Sequence, residues 1–123
     1  MFIYSNLNPF NLTVGDCVVR AISAVLNQDW DTTYIGLATK GYEMADMPSA
    51  NSVWGAYLKR NGFKRYVIPN TCPDCYTVRQ FADEHPHGRY LLSVDSHVVA
   101  VINGDYYDTW DSGDKVPIYY YKK

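Results

Sequence analysis

His97-Val-Val-Ala-Val-Ile-Asn-Gly-Asp-Tyr-Tyr-Asp108 decides how this chain is read. Two apolar runs flank Asn103-Gly104, the dipeptide that best suits a two-residue hairpin turn, because both of its central residues must take positive φ. Such a turn sets Ile102 opposite Asp105 and Val99 opposite Asp108. Alternation then gathers His97, Val99 and Val101 on one face with Tyr106, Asp108 and Trp110, and sends Asp111 to the other. His97 and Asp108 become diagonal neighbours, roughly 7 Å apart at the backbone and within reach through their side chains.

Outward from the hairpin, strands are expected over Tyr90–Val94, His97–Ile102, Asp105–Trp110 and Val116–Tyr121, the last an edge strand guarded by Lys122 and Lys123. Lys64–Ile68 reads as an earlier strand ending at Pro69. Thr77 and Gln80 form a capping box for a short helix that ends near His85-Pro86.

Upstream, the pattern changes to helical spacing. Val18, Ala21, Ile22 and Val25 predict a helix over Cys17–Asn27 with Asp16 as its cap. A second helix is expected to follow Asp31, with Trp30 before its cap and Tyr34, Leu37 and Ala38 inward. A third covers Asn51–Asn61 with Val53, Trp54, Tyr57 and Leu58 as its apolar face and Gly62 as the stop. Helices first and antiparallel strands afterwards define an α+β fold, and 123 residues suit one domain over 1–123.

The bulk composition narrows the class. Hydrophobic residues make up 47% and charged residues 20%, which is neither a disordered nor a membrane composition. No 18-residue apolar run is present, and Met1–Asn6 carries no secretory signature. A net charge of −2 without a basic field does not call for nucleic acid. With three cysteines and no export signal, reduced thiols and a cytoplasmic setting are expected. Cys72-Pro-Asp-Cys75 is half of a zinc motif, but His85 and His87 lie one residue apart rather than at the usual spacing, so loop thiols are the preferred reading and no metal is expected.

Cys17 falls on the first turn of the first helix. A thiol acts as a nucleophile only as thiolate, and a helix N-terminus or a nearby imidazolium lowers its pKa from about 8.5 to roughly 3.5–7.5. The unpaired N–H groups of that turn also suit an oxyanion. Taken alone, Cys17 reads more readily as a small buried hydrophobe. Together with a histidine–carboxylate pair on one sheet face, it forms a nucleophile, base and orienter set.

In order and local sequence these residues resemble the papain-like cysteine peptidases: a cysteine opening the first central helix, a histidine starting a strand, and an acid or amide on the next strand. His97-Val-Val-Ala-Val looks like the family's histidine strand, and Asp108-Thr109-Trp110 resembles its Asn-Ser-Trp. Asn11, six residues before Cys17, matches the glutamine that completes the oxyanion hole, though it is one methylene shorter, and Val18 stands where the family usually has glycine. The closest flavour is the compact bacterial type that trims bacteriocin leaders, which also carries an aspartate before the cysteine. Small proteins of this pattern are also encoded by bacteriophages.

The resemblance implies a thiol hydrolase acting on a peptide or isopeptide bond of a peptide or protein substrate, without cofactor. Cys17, His97 and Asp108 would be catalytic and Asn11 would serve the oxyanion. Acyl transfer or glutamine deamidation by the same triad, and a non-catalytic binding module on the same fold, are the alternatives.

Overall fold

The computed structural model describes all 123 residues. It is an α+β fold in three layers. Helices α1 (Cys17–Leu26), α2 (Trp30–Met44) and α3 (Asn51–Arg60) cover one face of a six-stranded sheet, and α4 (Val78–Glu84) covers the other. The strands are β1 (Phe2–Tyr4), β2 (Lys64–Val67), β3 (Arg89–Val94), β4 (His97–Ile102), β5 (Asp105–Asp108) and β6 (Tyr119–Lys122). Their order across the sheet is β1-β5-β4-β3-β6-β2.

The hairpin register follows the turn chemistry. Asn103 and Gly104 have φ of 49° and 86°, the two positive values of a type I′ turn, and Ile102 pairs with Asp105, Val101 with Tyr106 and Ala100 with Tyr107. Alternation along β4 splits the core in two. Val98 and Ala100 pack with Ala21, Ile22 and Val25 of α1, whereas Val99 and Val101 pack with Val78, Phe81 and Ala82 of α4. α3 lies over β3 and β6, with Trp54 meeting the Tyr121 ring edge-on at 5.5 Å. Gly55 allows that approach, since a Cβ there would stand 2.6 Å from the Tyr121 hydroxyl oxygen.

Several expectations are corrected. α2 begins at Trp30 because the Asp29 side chain accepts from the Thr32 N–H at 2.7 Å, two residues before the cap expected near Asp31. Thr33, Leu37 and Gly41 form its buried stripe, while Tyr34 is exposed. Asp16 sits at the N-cap of α1 but makes no side-chain cap bond. β5 stops at Asp108, whose carboxylate bends the chain by accepting from the Thr109 N–H at 2.8 Å.

β6 is an interior strand between β3 and β2; the edges are β2 and β1. β1 was not foreseen. It runs parallel to β5, which makes the sheet mixed, and it pairs Tyr4 with Asp108. Cys72 and Cys75 are joined in a disulfide rather than free, because the Pro73-Asp74 turn between them brings their Cα atoms to 4.1 Å. No helix is long and apolar enough to cross a membrane.

Leu91 is fully buried at the centre of the sheet against α1 and α3. Leu91→Ala is expected to lower unfolding free energy by about 3 kcal/mol, the transfer and cavity cost of a buried leucine, read as a lowered urea midpoint followed by circular dichroism.

Candidate functional site

The start of α1 and the adjacent ends of β4 and β5 meet at one end of the sheet. Cys17 is the first residue of α1, His97 the first of β4 and Asp108 the last of β5. Strand alternation alone would keep His97 and Asp108 on the α4 side with Val99 and Tyr106. At the strand ends this confinement lapses, and both side chains reach the N-terminus of α1. His97 lines a cavity of about 260 Å³ together with Cys17.

The His97 Nε2 and Asp108 Oδ2 atoms are 2.6 Å apart, with the side chains only 11% and 2% exposed. Nδ1 is therefore the ring nitrogen left for the thiol. Asp108 has four donors in all. Oδ2 also accepts from the Ser112 hydroxyl at 2.8 Å, and Oδ1 accepts from the Thr109 N–H at 2.8 Å and from Arg20 Nη1 at 3.3 Å. Trp110 lies over the imidazole with ring centroids 4.9 Å apart. Asp111 turns elsewhere and accepts from the Tyr106 hydroxyl at 2.6 Å.

These contacts set the protonation states. Burial works against charge on His97, but the hydrogen bonds to Asp108 and Cys17 outweigh it and raise its pKa to about 9. Burial likewise acts to raise the Asp108 carboxyl, and the His97, Ser112 and Thr109 donors overcome it and hold the group below its usual value. For Cys17, burial opposes the thiolate, yet hydrogen bonding to His97 and to the Val98 backbone, with the positive charges of His97 and Arg20, carries the thiol below its ordinary value. The three shifts all run towards the same charged set: thiolate, imidazolium, carboxylate.

Asn11 is placed differently from the other three. It lies exposed in the loop before α1 with φ of 55°, and its Oδ1 accepts from Asn6 Nδ2 at 3.3 Å. Neither cavity that reaches Cys17 is lined by it. Asn51, unnoticed in the sequence, does line the cleft, and its Oδ1 is occupied by Trp54 Nε1 at 3.0 Å. Ser112, Asn8 and Arg20 were also missed. Of these only Arg20 had a visible signal, its i,i+4 spacing from Asp16 on a predicted helix. No group of three or more His, Cys, Asp or Glu side chains is arranged to hold a metal ion, and His85 instead stacks on Phe81 at 3.7 Å.

In comparisons with known proteins, no protein family, curated protein or solved structure matches this chain.

The pKa shifts make a signed prediction. His97 has a folded value above its unfolded value of about 6.5, so its contribution is complete below pH 6.5 and is lost as pH rises towards 9. Cys17 acts oppositely: with a lowered folded value, its contribution is complete above its unfolded value of about 8.5 and is lost as pH falls through the folded one. In Cys17→Ser the opposing group is gone. Its urea midpoint is expected to fall as pH rises above 6.5, while the wild-type midpoint stays flatter, as parallel denaturation series will show. The window closes below 9, because the Cys17 share of the His97 shift is lost with the thiol.

Proposed function

We propose that the chain is a papain-like thiol hydrolase that cleaves a peptide or isopeptide bond through Cys17, His97 and Asp108. One observation carries this reading: a half-buried imidazole with Nε2 held 2.6 Å from a carboxylate, lining the same cleft as a thiol at a helix N-terminus. A core histidine needs one satisfied acceptor; it does not need a cysteine whose own surroundings favour thiolate.

The chemistry follows from the geometry. The Cys17 thiolate attacks the carbonyl carbon, forming an S–C bond and placing negative charge on the carbonyl oxygen. The Cys17 N–H, uncapped by Asp16, donates to that oxyanion. Asn11 would join as a second donor only by turning its amide in from the loop, whereas the Asn51 amide already lines the cleft. The imidazolium protonates the amine as the C–N bond breaks, leaving a thioester. Water then attacks, giving its proton to His97, and the acid product departs. Asp108 keeps the ring oriented and stabilises its charge throughout. No step calls for a metal or organic cofactor. The thiol must stay reduced to work.

The test is the rate of iodoacetamide alkylation of Cys17 against pH, in a Cys72→Ser, Cys75→Ser background, with and without His97→Ala. Rapid alkylation persisting well below pH 7 and lost in His97→Ala supports the ion pair. A rate rising only near pH 8.5, the ordinary thiol value, and indifferent to His97 would overturn the reading. With a reactive thiol established, cleavage of a peptide library should vanish in Cys17→Ser and fall by about 10³-fold or more in His97→Ala.

A further inference from the structure

An aspartate at the N-cap ordinarily accepts from the N–H groups of the second or third helical residue. Asp16 holds that position at the head of α1, with φ of −111° and ψ of 24°, and bonds none of them. Its carboxylate is drawn aside instead. Oδ1 accepts from Arg20 Nε at 2.8 Å, and Oδ2 accepts from Trp30 Nε1 at 3.0 Å and Asn8 Nδ2 at 3.2 Å. The Asp16 and Arg20 side chains are only 6% and 12% exposed.

This displacement matters because of what lies next door. A carboxylate seated on the first turn would take up the N–H groups and place a full negative charge beside Cys17. Both effects oppose a thiolate and an oxyanion at the same helix end. Arg20 is the one cation among Asp16's partners; Trp30 and Asn8 are neutral donors.

We propose that Arg20 is a positioning residue for Cys17: it binds and neutralises Asp16, keeping that carboxylate off the N-terminus of α1 so that the first-turn N–H groups serve the thiolate and the oxyanion. The inference rests on the thiol-hydrolase reading of the site. The second Arg20 contact, to Asp108 at 3.3 Å, is the longer of the two, and Asp108 has three closer partners without it. The Asp16 bond is therefore the one assigned the effect. The charged and titratable groups around Cys17 are Asp16 and Arg20 on α1, His97 on β4, and Tyr107 and Asp108 on β5; α3 supplies Asn51 and Trp54, neither of which titrates.

The experiment is the pH midpoint of Cys17 alkylation by iodoacetamide in the full chain, with Cys72 and Cys75 as serines, for wild type, Arg20→Met, Asp16→Asn and the double variant. Arg20→Met is expected to raise the midpoint by about one pH unit, a tenfold loss of thiolate at pH below the midpoint. Asp16→Asn in that background is expected to bring it back near the wild-type value, since the pair carries no net charge and removing both leaves nothing to cap the helix with a charge. A merely structural arginine would not be rescued this way.

An unmoved midpoint in Arg20→Met overturns the proposal. So does a double variant that stays as high as Arg20→Met, which would assign the effect to the Arg20 charge acting on Cys17 directly or to Asp108. Should Arg20→Met fail to fold by circular dichroism, Arg20→Gln removes the charge while keeping a donor, and an unchanged midpoint there overturns the proposal equally. A wild-type midpoint near 8.5 that ignores His97→Ala would instead sink the hydrolase reading itself. A depressed, His97-dependent wild-type midpoint that ignores Arg20 would sink only this inference.

Discussion

The register of β4 against β5 is the constraint on which the site depends. A strand slipped by one residue turns every side chain to the opposite face, and here that would put Val98 and Ala100 where α4 packs and Val99 and Val101 where α1 packs. The type I′ turn at Asn103-Gly104 forbids the slip at one end of the hairpin. The two-layered core forbids it along the length, because buried residues on both faces of β4 are matched to different helices. His97 and Asp108 inherit their separation from this register at the hairpin's open end, and the 2.6 Å contact between them completes it.

Charge is buried around that contact, and burial is what makes its geometry definite. Asp16, Arg20, His97 and Asp108 lie within one region with side chains 2–12% exposed. Isolated, Asp16, His97 and Asp108 would be driven towards neutrality, and the permanent charge of Arg20 would be costly to bury. Paired, each ion is held by several partners, and no buried side-chain nitrogen or oxygen in the protein lacks one. Such a cluster contributes little net stability compared with an apolar core of equal volume, because desolvation offsets the attraction. Its presence at one end of an otherwise apolar sheet is thus an argument for chemistry rather than for folding.

Much of this was legible in the sequence, for physical reasons that differ by element. The hairpin, α3 and the α4 capping box were read from local rules, and local bonds make them: Thr77 and Gln80 satisfy one another's N–H groups as a capping box. The nearness of His97 to Asp108 was legible because register is arithmetic once the turn is known. What escaped depends on distant partners. β1 is three residues long, too short for a periodic signal, and exists because β5 has an edge to fill. β6 was expected at the edge, but sheet order is not encoded in a strand's own pattern, and β2 with four exposed residues takes that position. The Cys72–Cys75 bond depends on a short turn that brings the pair together, which a compartment argument from cysteine count does not register. Asp16 was read as a cap from its position; Arg20, Trp30 and Asn8 then compete for the same oxygens and win.

The unforeseen strand also bears on how the third member of the site is held. Asp108 ends β5, and a strand end is where a side chain has most freedom. β1 removes that freedom from one side: Tyr4 pairs with Asp108 and the Ser5 N–H donates to the Asp108 carbonyl at 2.9 Å. On the other side, Thr109 and Ser112 bond the carboxylate from the chain that follows. The same loop that leaves β1 carries Asn8, whose Oδ1 accepts from the N–H groups of Phe10 and Leu12 and whose Nδ2 reaches Asp16. One stretch, from Phe2 to Cys17, thus fixes the carboxylate that faces His97, arranges the Asp16 carboxylate beside the start of α1, and carries the thiol. Positioning falls to the segment that carries the proposed nucleophile itself.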